Sequence, residues 1–198
     1  NALVVHPSVP ARTLKELINL ARSRPNEMLY ATPGRGTSTH LAIEMLASRA
    51  QLKLVHVPYK GVSQYITAQI SNEIQFSFSN MFTTMPHWKA GRLKLLATGG
   101  SKRMEAMPDL PTIDEAGVPG FEALTWYGIM APAKTPRAVV DKLQREIAAI
   151  VKTPEVHQTF VSQGNEPLAN TPDQFAKLIR DDNAKWSKVI KATGARID

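Results

Sequence analysis

Two glycines, five hydroxyls and a histidine crowd the run Tyr30-Ala-Thr-Pro-Gly-Arg-Gly-Thr-Ser-Thr-His40. The run reads as a strand, a glycine-rich turn and a helix start. Such a turn presents backbone N–H groups and the positive end of a helix dipole, which suits a carboxylate or a phosphate. Thr37, Ser38 and Thr39 add hydroxyl donors at the same point, and His40 could face the loop or simply pack. The competing reading is a tight turn in which Thr37 or Ser38 only caps a helix. Gly34-Arg-Gly36 lacks the third glycine of a dinucleotide fingerprint, and no Gly-Lys-Ser/Thr of a P-loop is present.

Two more strand ends carry small polar groups. Val57-Pro-Tyr-Lys-Gly61, followed by Ser63, could bring Tyr59 and the Gly61 N–H to the same edge, and Ser77-Phe-Ser-Asn80 ends on Ser79 and Asn80. Ligands of parallel sheets bind beyond the carboxyl ends of the strands. Three such ends on one edge therefore argue together better than singly. Groups for acid–base or metal chemistry are scarce. His6, His40, His56, His87 and His157 show no His-x-x-x-His spacing, Cys is absent, and no Gly-x-Ser-x-Gly elbow occurs. The acids Glu16, Glu27, Glu44 and Glu73 do not adjoin the loop glycines. Donors are plentiful and acid–base groups are missing, which is the profile of a binder. No catalytic residue, metal ligand or cofactor is expected.

The elements that position these groups alternate. Candidate strands lie at 3–6, 28–32, 52–57, 74–79 and 93–98, with helical patterns at 13–23, 38–49, 61–70 and 81–90 between them. Thr13 and Glu16 have the spacing of a capping box, and Leu14, Leu17, Ile18 and Ala21 make one apolar face. Strands separated by helices of this length imply βαβ units and a mainly parallel sheet. Residues 107–120 then form a proline- and glycine-rich loop, and 121–131 reads as an extended run. After it come three helices, each announced by a Thr-Pro pair at Thr135, Thr153 and Thr171. Helices 136–151 and 172–191 are apolar on one side, yet the only strand pattern left to cover them is 166–169.

Composition narrows the class. The 198 residues are 43% hydrophobic and 21% charged, as in an ordinary globular protein, and no apolar run is long enough to span a bilayer. Lys and Arg number 24 against 17 Asp and Glu, a formal net charge of +7. The cations are scattered and not interleaved with aromatics, so nucleic acid is not the expected partner.

The segments ATPGRGTSTHLA, HVPYKG, MPHWKAGRLKL and PDLPTIDEAGVPG resemble the substrate receptors of tripartite tricarboxylate transporters, the Bug receptors. So do Trp126-Tyr-Gly-Ile-Met-Ala-Pro132, the Thr-Pro helix starts and the closing Trp186…Gly194. The resemblance covers essentially the whole chain, in order. It implies a periplasmic, two-lobed α/β solute-binding protein of the type II periplasmic binding fold, which passes a small carboxylate to membrane permease components. Family members begin about 100 residues further upstream, with the missing strands of the first lobe. On that reading residues 1–124 are a complete ligand-binding α/β lobe, the family's second. Residues 125–198 are a hinge strand and the C-terminal helices of an incomplete first lobe. The resemblance places the site on Thr32, Gly34, Gly36, Thr37, Ser38, His40, Ser79 and Asn80. Relatives often carry Asp where this chain has Ser79, so nothing here would hold an ammonium group, which argues against an amino-acid ligand. A metabolite-handling α/β enzyme with an anion-binding loop and a ligand-sensing effector domain stand as alternatives.

Overall fold

The structure is a computed structural model and describes residues 1–195. Five strands, β1 (Ala2–Val5), β2 (Leu29–Thr32), β3 (Val55–Pro58), β4 (Phe76–Ser79) and β5 (Lys94–Thr98), form one sheet in the order β3-β2-β4-β1-β5. β2 pairs in parallel with both β3 and β4, while β1 runs antiparallel to β4 and β5. β2, β3, β4 and β5 therefore all point one way and β1 opposes them. The expected mainly parallel sheet holds in strand direction, with β1 as the exception. Its apolar run reads the same in either direction, so periodicity alone cannot orient it.

Helices cover both faces. α1 (Leu14–Ser23) and α2 (Ser38–Ala50) pack over Leu3, Val5, Tyr30, Phe76 and Phe78, whereas α3 (Val62–Ile70) and α4 (Met81–Lys89) pack over Ala2, Val4 and Ala31. Alternate side chains of one strand thus enter opposite cores, and β1 and β4 are buried throughout. α1 starts as its sequence predicts. Thr13 Oγ1 accepts from Glu16 N at 3.2 Å while Glu16 Oε2 accepts from Thr13 N at 3.2 Å, and Leu14, Leu17, Ile18 and Ala21 face inward. Gln69, fully buried under β1, is satisfied at both ends. Its amide donates to the Val4 carbonyl at 2.9 Å and accepts from Ser77 Oγ at 2.7 Å.

After β5 the chain crosses back over the carboxyl edge of the sheet. Gly99 N donates to the Asn1 carbonyl and Ala123 N to the Gly99 carbonyl, and a Cβ on Gly99 would lie 2.4 Å from the Ala123 oxygen. Only glycine allows that approach. Ile113, Val118, Phe121 and Ala123 fill the core under this loop.

Beyond Ala123 no described residue is fully buried. α5 (Arg137–Val151), α6 (Pro154–Ser162) and α7 (Pro172–Thr193) follow. Thr153 and Thr171 stand at the N-cap positions of their helices as expected, though only Thr171 accepts a capping hydrogen bond, while α5 begins one residue late, with Pro136 at its N-cap. Neither 121–131 nor 166–169 forms a strand. A ladder needs a neighbour, and here the first segment is pressed against a helix. The Trp126 indole N–H donates to Asp182 Oδ2 at 2.6 Å, its ring meets Phe175 edge-on, and a Cβ on Gly128 would lie 2.2 Å from Phe175. Trp186 and Val189 of α7 pack in turn on the core beside α2.

Candidate ligand-binding site

The carboxyl ends of β2 and β4 are neighbours, and each leads into a helix. Thr32 closes β2, residues 33–37 form the loop, and α2 begins at Ser38. Asn80 joins β4 to α4. Because β1 is antiparallel, its beginning lies on this same edge, with Ala2 opposite Ser79. The edge thus gathers helix N-termini, whose first N–H groups have no intrahelical acceptor and whose dipoles favour negative charge.

The loop is laced by its own side chains. Gly34 and Gly36 take φ of 144° and 73°, conformations that favour glycine. Thr32 Oγ1 donates to the Gly34 carbonyl at 3.0 Å and accepts from Gly34 N at 3.2 Å. Thr37 Oγ1 donates to the same carbonyl at 2.8 Å and accepts from His40 N at 3.4 Å as the cap of α2. Gly36 N donates to His40 Nδ1 at 3.2 Å. That bond fixes the neutral His40 tautomer with its proton on Nε2.

Beneath the loop lies a stack of three rings. Tyr30 stacks on His56 with centroids 4.8 Å apart, and His56 lies 4.3 Å from His40. The Tyr30 hydroxyl bonds to Glu44, and His56 Nε2 bonds to Thr32 Oγ1 at 2.6 Å. His56 Nδ1 is buried with no hydrogen-bond partner. Burial, then the neighbouring His40 and the Arg35 charge, push the His56 imidazole down to about 4. Burial also lowers His40, with Glu44 opposing and Arg35 reinforcing the shift. Burial, followed by Glu44, holds the Tyr30 phenol far above its ordinary range. At neutral pH the three rings are uncharged.

Of the eight residues expected at the site, Thr32, Gly34, Gly36, Thr37 and His40 form one hydrogen-bonded unit. Thr32 and His40 sit inside it, at 0% and 5% exposure. Ser38 and Asn80 join through the crossing chain: Ser38 Oγ pairs with Thr125 Oγ1 at 3.0 Å, Thr125 N donates to Asn1 Oδ1, and the Asn1 amide donates to Asn80 Oδ1. Asn80 Nδ2 donates to the Tyr127 hydroxyl. Ser79 is not brought to this group. Strand alternation turns its side chain toward α3, where it is fully buried and bonded to the Tyr65 hydroxyl at 2.8 Å. Sequence reasoning missed the part of His56, Tyr30 and Glu44. Their signal was faint: Tyr30 and His56 occupy paired positions of adjacent parallel strands, and Glu44 follows His40 by one helical turn.

A cleft of about 850 Å³ opens elsewhere, between α3, α4 and the end of α6, lined by Val62, Ile66, Phe82, Met85 and Gln163. None of the eight residues lines it. Its walls are largely apolar, whereas the loop groups bond one another.

The profile of the "Tripartite tricarboxylate transporter family receptor" matches residues 1–195. The chain belongs to this family. A relative from Pseudomonas sp. (strain P51), the "UPF0065 protein in tcbD-tcbE intergenic region", is 34% identical over 191 residues, covering 96% of this chain and 57% of the relative. Among solved structures, R. palustris Rpa4515 with adipate superposes with a TM-score of 0.94 at 30% identity, and the periplasmic binding protein BugD with 0.87 at 27%. This chain covers 66% of the first and 67% of the second. The chain thus spans well under two thirds of its curated relative and about two thirds of each solved neighbour. The α/β sheet flanked by helices is that of Bug-type periplasmic binding proteins, and the family is one of transport receptors. Among the described residues no helix is long and apolar enough to cross a membrane.

Proposed function

We propose that this chain is the ligand-gripping part of a periplasmic receptor that captures a small carboxylate and delivers it to the membrane permease of a tripartite tricarboxylate-type transporter. One observation carries the reading: the 33–37 loop, which includes Arg35 and is held by Thr32, Thr37 and His40, sets the N-terminus of α2 at the carboxyl edge of β2. A carboxylate there would receive charge-assisted hydrogen bonds from backbone N–H groups and hydroxyls, with no proton transfer asked of the protein. The eight site residues include no carboxylate, which fits an anionic ligand without an ammonium group. On this reading residues 1–124 are one lobe of the receptor. Residues 125–198 belong to the other lobe, whose remaining elements would cover α5–α7.

The test is a calorimetric panel of adipate, malate, a monocarboxylate, aspartate and a sugar phosphate. Binding confined to the carboxylates without an ammonium group supports the reading. Binding of the sugar phosphate alone overturns it.

A further inference from the structure

The Gly36 N–H points at the ring of His40, and the ring of His40 lies against that of His56. A backbone donor at the mouth of a proposed anion loop is therefore engaged by a titratable group of the protein itself. We propose that His40 is a proton-operated latch of the 33–37 loop: neutral His40 holds the Gly36 N–H through Nδ1, and a proton arriving on Nδ1 frees that N–H and places a positive charge beneath the loop. Anion capture then takes up a proton, and anion release gives it back. This deepens the receptor reading and rests on it.

The surroundings define how the latch works. Glu44, one turn along α2, favours a proton on His40, while Arg35 of the loop opposes it. From β3 His56 opposes a second charge, since two imidazolium rings 4.3 Å apart repel, so the pair takes up one proton before two. Tyr30 of β2 presents a neutral ring, its hydroxyl committed to Glu44. With burial holding His40 below its ordinary value, the free loop is latched at neutral pH. A bound anion raises the affinity of the pair for a proton, and by reciprocity a proton raises the affinity for the anion.

The experiment has two arms. In the ligand-free protein, NMR follows the His40 ring and the Gly36 amide through an acid titration. The latch requires neutral His40 to carry its proton on Nε2 and the Gly36 amide to shift with the His40 midpoint. A Gly36 amide that stays still while His40 titrates overturns it. The second arm measures fumarate affinity at pH about 5.5 and about 8, on either side of the histidine range. Binding should be several-fold tighter at the lower pH, below the roughly tenfold ceiling that applies when the bound anion makes His40 about tenfold more basic, because pH about 5.5 does not lie far below the free His40 midpoint. His40→Asn, whose Oδ1 can accept the Gly36 N–H but takes no proton, should bind with an affinity independent of pH. An undiminished pH dependence in His40→Asn overturns the latch. Failure of fumarate to bind at either pH shows only that fumarate is not the carboxylate bound, and the Gly36 titration then still decides the latch.

Discussion

His56 occupies a site that accepts a neutral ring and resists a charged one. It is wedged between Tyr30 and His40, its Nδ1 has no partner, and its imidazole titrates near 4. A base whose affinity for protons is lower in the folded state makes the unfolded state the better proton acceptor. Its contribution is therefore intact above the unfolded value of about 6.5 and is lost as the pH falls through and below it. The ring is only half-buried, so solvent screening trims the effect, and the protein should lose about 1 kcal/mol of stability between pH 7 and pH 5 through this residue. Urea midpoints at the two pH values check this. His56→Phe keeps the stack on Tyr30 without a titrating group and should flatten a large part of that slope. An equal slope in the variant would move the acid sensitivity to other residues.

At the scale of elements, local signals acted where they were local. Thr13 and Glu16 marked the start of α1 because the capping box is a contact between residues three apart, and the bonds form as the spacing demands. Thr13→Ala leaves the Glu16 N–H in the first turn of α1 without its side-chain acceptor. It should lower stability by about 1 kcal/mol with an unchanged fold, read from the denaturation midpoint. The same reasoning explains how much of the molecule could be read in advance. All five strands and the helices of the first 100 residues were legible from periodicity, and the glycine-rich loop from composition. The direction of β1, the failure of 121–131 to pair, and the inward turn of Ser79 were not, because each depends on what lies across the sheet or across the chain. At the site, Thr32 and the loop glycines were readable as a turn before a helix. The His40–His56 stack was not, since it needs the register of β2 against β3.

Considered whole, the molecule is uneven. Its two cores lie against the sheet and end with Ala123, while α5, α6 and α7 contain no fully buried residue and expose Val139, Leu143, Ile150 and Phe160. Local opening free energy follows buried apolar contact, so these helices should open far more readily than the sheet. They are not equivalent among themselves. α7 is tied to the body by Trp186 and Val189 against the core, by the Trp126–Asp182 hydrogen bond and by Phe175 against Gly128. α5 touches α6 and α7, while α6 meets the body mainly where its end passes Gly164, packed on Met81. Hydrogen exchange should therefore rank the amides in three tiers: β1 and β4 slowest, α7 intermediate, α5 and α6 fastest. Asp182→Ala should move α7 toward the fastest tier while leaving β1 and β4 unchanged, because the lost bond lies outside both cores. Protection of α5 and α6 equal to that of β1 would mean that these helices are stabilised by contacts other than the ones described, and would remove the physical ground for the proposal that they belong to the receptor's other lobe.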